Sequence, residues 1–244
     1  MVIDVALLPK DLRRAELAGR LVVVFDVLRA TTSMAAALAA GVREIRIFGD
    51  LDAARAAARA VGASQPLLCG ERDCLPPEGF DLGNSPGAFS AALHAGRVMY
   101  MSTTNGTRAI VAARDAEVVL TGALVNAAAV ARAIARHWAQ LDVTLLCAGT
   151  GGAVAMEDVV GAGAVMRALE QVTDLTPASD VAIMAGRLFD AGRNDLRAVL
   201  AESRGGRNVI AAGLPQDIDF AARLDALDVV GIVQKDPLAV RRLQ

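Results

Sequence analysis

The stretch Leu21–Met34, LVVVFDVLRATTSM, constrains this chain more than any other part of it. Leu21 to Val24 run without interruption into Phe25, which reads as a strand buried within a parallel sheet. Asp26 closes the run. Arg29, Thr31 and Thr32 follow, and then an alanine-rich segment, Ser33–Ala40, reads as a helix with Thr31, Thr32 or Ser33 placed to cap it. An acid is thereby set at the carboxyl end of a strand, beside a helix N-terminus. Open α/β sheets hold ligands there, and free backbone N–H groups hold anions there. The plainer alternative is a turn in which Asp26 caps and Arg29 pairs with it.

The same alternation recurs along the chain. Val2–Leu8, Glu44–Phe48, Pro66–Cys69, Arg97–Met101, Val118–Leu120, Val143–Cys147 and Val229–Val233 read as further strands, the last ended by Pro237. Residues 11–18, 51–61, 86–95, 125–138, 156–169, 178–188, 196–203 and 215–224 read as helices, the third with Ser85 as cap, and Gly205-Gly206 marks a turn. The expectation is an α/β protein: a layered α/β/α arrangement with a largely parallel sheet and a more helical C-terminal part. Residues 1–244 suit one domain, or two intimately packed lobes meeting near Leu169. Gly70–Ser85, rich in Gly, Pro and Asp, breaks the rhythm, and long irregular loops in such domains are often functional.

Composition narrows the function classes. Hydrophobic residues make up 54% of the 244, yet aromatics only 3%, and alanine fills much of the difference. No uncharged apolar run reaches the roughly 18 residues that a spanning helix needs, so no membrane role is expected. The N-terminus lacks a basic-then-apolar leader pattern, which makes a cytoplasmic address the expectation. The net charge is −2 with scattered Lys and Arg, whereas nucleic-acid binding calls for a clustered basic face. Two histidines and three cysteines without a C-x-x-C pair argue against zinc and redox sites. Any metal would need mainly oxygen ligands, as Mg²⁺, Mn²⁺ or Ca²⁺ do.

Three predicted strands run into polar loops that lead into helices: Asp26–Thr32, Ser102–Arg108 and Ala148–Asp158. In a parallel sheet these would emerge on one edge. Asp26, Glu157 and Asp158 would then meet Arg29, Arg108, hydroxyls and backbone N–H groups, a set suited to a hard cation and an anionic ligand. Mg²⁺-assisted chemistry on a phosphorylated substrate follows as the expectation. No G-K-[ST] is present, and Val154 stands where a dinucleotide G-x-G-x-x-G would have its third Gly. Cys147 at a strand end reads as a core cysteine. Taken singly, Thr103-Thr104-Asn105-Gly106 is also a capping turn, and Glu157-Asp158 a favourable acidic first turn.

In order along the chain, Asp26-Val-Leu-Arg-Ala-Thr-Thr, Gly70-Glu-Arg, Gly79-Phe-Asp-Leu-Gly-Asn-Ser-Pro86, Thr103-Thr-Asn-Gly-Thr-Arg108, Cys147-Ala-Gly and Glu157-Asp158 resemble the 2-phosphosulfolactate phosphatase (ComB) family. Ser203, Asp217-Ile and Asp225 are similar to the tail of that family. The resemblance implies a Mg²⁺-dependent phosphatase that converts (2R)-2-phospho-3-sulfolactate to 3-sulfolactate and phosphate, toward coenzyme M, in an α/β fold that assembles as a homo-oligomer. Asp26, Glu157 and Asp158 are then the candidate catalytic and metal-binding residues, with Asp26 alternatively a base or a nucleophile. Arg29, Thr31, Thr32, Glu71, Arg72, Asn84, Ser85, Thr103, Thr104, Asn105, Gly106, Thr107 and Arg108 are the candidates for substrate binding. Among them Arg29, Arg72 and Arg108 are expected to meet anionic oxygens in forked geometry. The rival expectations are the same chemistry on another small phosphorylated hydroxy acid, or an anion-binding module without catalysis.

Overall fold

The computed structural model describes residues 1–13, 15, 17–61 and 66–244. Its strands are β1 (Val2–Ala6), β2 (Arg20–Phe25), β3 (Glu44–Ile47), β4 (Leu67–Gly70), β5 (Val98–Ser102), β6 (Val118–Gly122), β7 (Asp142–Cys147), β8 (Thr176–Pro177), β9 (Gly231–Lys235) and β10 (Leu238–Arg242). Its helices are α1 (Ala30–Ala39), α2 (Leu51–Ala60), α3 (Ala91–His94), α4 (Gly106–Ala113), α5 (Ala127–His137), α6 (Met156–Glu170), α7 (Asp180–Gly192), α8 (Leu196–Glu202), α9 (Arg204–Ala211) and α10 (Pro215–Ala221). The helix predicted over 11–18 includes Arg14 and Glu16, which lie outside the described residues; a 3-10 turn covers Pro9–Asp11.

The strands form one mixed sheet in the order β4-β5-β3-β10-β9-β6-β2-β7-β1-β8. β2 lies between β6 and β7, parallel to both. Its side chains alternate between two cores. Leu21, Val23 and Phe25 pack with α5, α6 and α7, while Val22 and Val24 pack with α1 and α4. Burial on both faces is why this strand reads as a continuous apolar run. Helix α1, nearly all alanine and small residues, is buried on every side, as an all-round apolar helix must be.

The sheet is not parallel throughout. β9 and β10 form an antiparallel hairpin that pairs antiparallel with β6 on one side and β3 on the other. A parallel block β6-β2-β7-β1-β8 is thereby separated from a parallel block β4-β5-β3 of opposite sense along the ladder. Pro237 therefore sits in the turn of a hairpin instead of ending the last strand, as its missing N–H allows. The loops after β2, β5 and β7 nonetheless converge: the Gly106 N–H reaches Asp26, and the Gly151 N–H reaches Asn105 Oδ1.

Two predicted caps are not used as such. Thr31, Thr32 and Ser33 lie inside α1, which begins at Ala30. Ser85 makes no side-chain cap bond, and the segment after it splits into a 3-10 turn at Pro86–Ala88 and the short α3. Gly205 and Gly206 are not a turn but the opening of α9, capped by the Ser203 hydroxyl, which accepts from the Gly206 N–H at 3.0 Å.

Candidate active site

Asp26 is buried where β2 ends. Two helix N-termini meet on its carboxylate. The Ala30 N–H of α1 donates to Oδ1 at 3.1 Å, and the Gly106 N–H of α4 donates to the same carboxylate. Gly106 is what permits the approach, because a Cβ there would lie 2.5 Å from the Ala30 Cβ and 2.8 Å from Asp26 Oδ2. Thr31 Oγ1 accepts from the Asp26 N–H at 3.0 Å, and the Thr32 hydroxyl donates to the Val27 carbonyl at 2.7 Å. Both hydroxyls therefore brace the turn. Burial raises the Asp26 pKa, Ala30 and Gly106 pull it down, Glu71 and Glu157 add to the rise, and it stands at about 6.

The two acids that open α6 have different surroundings. Asp158 Oδ1 accepts from the Val27 N–H at 2.8 Å and Oδ2 from the Gly149 N–H at 3.0 Å. It staples the turn after β2 to the turn after β7, with both oxygens committed. Burial, then Asp26 and Glu157, push its pKa well up. Glu157 is buried against the start of α9, where the Gly205 N–H donates to it. A Cβ on Gly205 would collide with this carboxylate. Glu157 Oε2 is buried without a partner.

In front of Asp26 lies a cavity of about 170 Å³, smaller than the ~300–1,000 Å³ of drug-sized sites. The loop 70–85 forms one wall. Glu71 Oε1 accepts from the Thr104 N–H at 3.0 Å and from the Thr104 hydroxyl, while Oε2 accepts from the Cys74 N–H at 3.1 Å. Asn84 lines the cavity with its backbone carbonyl held by the Ser33 hydroxyl at 2.7 Å, and its buried Oδ1 has no partner. The loop into α4 forms the second wall. Thr103 and Thr107 exchange N–H to hydroxyl bonds at 3.3 and 3.2 Å, closing the first turn. Asn105 Oδ1 accepts from the Gly151 N–H at 3.4 Å, which joins the loops after β5 and β7.

Arg29 lines the same cavity but is already engaged. Its guanidinium pairs with Asp217 of α10 at 2.5 Å, donates to Ser85 Oγ at 3.1 Å and to the Cys74 carbonyl, and Ser85 itself donates to Asp217 at 2.8 Å. Arg72 and Arg108 are exposed and do not line the cavity. Across the whole wall, Asp26, Glu71 and Asp73 face one arginine that Asp217 neutralises.

The family model for 2-phosphosulpholactate phosphatase matches residues 6–236. The chain belongs to the 2-phosphosulfolactate phosphatase family. A protein named probable 2-phosphosulfolactate phosphatase from Synechococcus sp. (strain JA-3-3Ab) is 41% identical over 214 residues, covering 85% of this chain and 86% of the relative. One of the same name from Carboxydothermus hydrogenoformans is 36% identical over 242 residues, covering 98% and 97%.

Of the residues in the motifs that carried the resemblance, Asp26, Arg29, Glu71, Asn84, Thr103, Thr104 and Asn105 line the one cavity, whereas Arg72, Arg108, Glu157 and Asp158 do not. Sequence reasoning missed its third wall, formed by Gly205, Asn208 and Val209 of α9. The signal available was Ser203 followed by helix-permitting residues, a capping pattern, but two adjacent glycines weigh against a helix. Among the described residues no three His, Cys, Asp or Glu side chains stand together in a metal-holding group. What the structure offers a hard cation is Asp26, with the unpartnered Glu157 Oε2 and Glu71 as its acidic neighbours. Such a set fits Mg²⁺, which takes one or two carboxylates and leaves its other positions to water and substrate oxygens.

Proposed function

We propose that this chain hydrolyses (2R)-2-phospho-3-sulfolactate to 3-sulfolactate and phosphate, a step toward coenzyme M, and that it requires Mg²⁺. The observation that carries the reading is the charge of the cavity. Three carboxylates line it, against one arginine held by Asp217. A substrate bearing phosphate, carboxylate and sulfonate could not enter such a wall without a cation between them. Asp26 with Glu157, whose Oε2 is unpartnered, would hold it, and when bound it would offset phosphoryl charge and make a water more acidic. Asp158, with both oxygens on backbone N–H groups, is assigned to holding the turns in place.

The chain's own groups divide the remaining work. The start of α4 lies beside Asp26 with its Gly106 and Thr107 N–H groups engaged by Asp26 and the Thr103 hydroxyl, so what it would offer a bound phosphate is the positive end of the helix. Asn84, with an amide that lacks a partner at Oδ1, supplies a further polar contact. Asp26, with a pKa near 6, can exchange a proton with water near neutral pH. Water adds to phosphorus, the bond from phosphorus to the substrate's C2 oxygen breaks, and that oxygen leaves with a proton as the alcohol of 3-sulfolactate. The test is phosphate release from this substrate with EDTA and after Mg²⁺ is restored. Activity should vanish and return, and Asp26→Asn should lower kcat by at least about a hundredfold. Metal-independent turnover, or a folded Asp26→Asn near the wild-type rate, would refute it.

A further inference from the structure

We infer that Arg204, at the first position of α9, is the specificity-determining residue that receives the substrate's sulfonate. The inference rests on the reading above and extends it. The start of α9 forms a wall of the cavity through Gly205, Asn208 and Val209. The Arg204 side chain turns toward the opposite lip, where Nη2 lies 3.7 Å from the place a Cβ on Gly151 would occupy. Gly151 is itself a lining residue. The guanidinium therefore reaches from the start of α9 to the loop after β7, next to the lining residue Gly151 and itself outside the lining.

Arg204 is exposed and makes no ion pair or hydrogen bond through its side chain among the described residues. The cation inside the cavity, Arg29, has its charge met by Asp217, and its neighbour on the helix, Arg207, is bound to the Glu202 carbonyl. A ligand whose phosphate faces Asp26 and the start of α4 therefore meets the uncommitted guanidinium at the rim. An arginine fork is weakly hydrated and presents several donors in one plane, which suits a singly charged group with three equivalent oxygens. The sulfonate, one carbon removed from the phosphoester, is that group. Nothing in the inference requires Arg204 to touch the reacting phosphorus.

The decisive comparison is kinetic. Phosphate release is measured for 2-phospho-3-sulfolactate and for 2-phospholactate, which keeps the carboxylate and lacks the sulfonate. Arg204→Ala should raise KM for the sulfonated substrate at least about tenfold, the size of one charge-assisted contact, and change kcat little. It should leave 2-phospholactate within about twofold of wild type, and Arg204→Lys should recover part of the loss. Equal losses on both substrates, or none on either, overturn the assignment. Calorimetric binding of 3-sulfolactate against lactate provides the second arm, independent of turnover. If wild-type protein hydrolyses neither ester, the activity reading fails, while weaker binding of 3-sulfolactate to Arg204→Ala still supports the subsite. Unchanged binding of 3-sulfolactate by Arg204→Ala overturns it.

Discussion

Removing the Asp217 carboxylate should cost this protein more stability than any single change at the mouth of the cavity. Asp217 and Arg29 are 188 positions apart in sequence, and their side chains are 2% and 3% exposed. Asp217 Oδ2 takes bonds from both Arg29 and Ser85, so Asp217→Ala strands a buried guanidinium and a hydroxyl together. Breaking one side of a buried pair typically costs about 3–5 kcal/mol. At roughly 2–4 °C per kcal/mol for a chain of this size, Tm should fall by about 6–20 °C. Thermal unfolding followed by circular dichroism reads this directly. Asp217→Asn keeps an acceptor and should lose less. The double change Arg29→Met with Asp217→Leu removes both charges and should recover much of the loss, since apolar replacement of a buried pair is often neutral. A fall under about 2 °C for Asp217→Ala, or a double variant as unstable as the sum of its parts, would show that the pair does not hold α10 to the turn after β2.

Gly106→Ala should disable the site from within a helix, because the added methyl meets the Ala30 Cβ at 2.5 Å and Asp26 Oδ2 at 2.8 Å; kcat should drop at least about tenfold as α4 backs away, and a fully active variant would refute the contact. In metal-free protein, Asp26 should lower stability as pH rises: its folded value of about 6 lies above its ordinary 3.8, so its contribution is present below the lower value and lost through the upper one. EDTA-treated Asp26→Asn should therefore melt higher than wild type above about pH 6, with the gap closing toward pH 4 and narrowing when Mg²⁺ is added; a gap independent of pH would contradict this. Cys147→Ala and Cys74→Ser should keep most activity, since burial raises both thiols and Cys147 lies within the core; a thousandfold loss with the fold intact, about 4 kcal/mol of transition-state stabilisation, would point instead to a thiol nucleophile.

The position of Asp26 was legible in the sequence because β2 is buried on both faces, and that burial leaves an unbroken apolar run with a single acid at its end. The convergence of three loops was also legible, though the parallel sheet assumed for it is only part of the architecture. The β9–β10 hairpin was only half legible: the sequence reads as a strand near β9, but β10 lies beyond Pro237, which reads equally as a terminator or a turn. Arg29 illustrates a different limit. Its place at the cavity follows from local sequence, but its partner arrives from α10, and nothing local shows that its charge is spoken for. Asp158 is similar: an acid in a first helical turn can face a ligand or fold back on neighbouring N–H groups, and only the packing of the turns after β2 and β7 decides. The wall from α9 was lost to Gly205 and Gly206. They are glycines because the Glu157 carboxylate and the Leu200 carbonyl crowd the places where Cβ atoms would sit, a tertiary reason that outweighs their poor helix propensity.

Burying Asp26, Asp158 and Glu157 together is unfavourable: burial raises the pKa of each, Glu157 adds to the rise at Asp26 and Asp158, and Asp26 adds to that at Asp158; the fold tolerates this through the helices. α1, α4 and α9 each begin at this cluster with an N–H aimed at a carboxylate, and α6 carries two of the acids in its own first turn. The positive ends of these helices offset part of the repulsion. The N–H groups on Asp158 are fully used, whereas Glu157 Oε2 has none and Asp26 remains poised near neutral pH. Charge is disfavoured at all three acids, Asp158 included, but Asp158 has both oxygens on backbone N–H groups, which leaves Asp26 and Glu157 as the two with oxygens a bound cation could take. Stability and chemistry are opposed at these two residues and aligned at Asp158. Substitutions by the matching amide should separate the two cases. Asp26→Asn and Glu157→Gln should stabilise the metal-free protein while abolishing its response to Mg²⁺, whereas Asp158→Asn should destabilise it by removing an acceptor from one of two buried N–H groups.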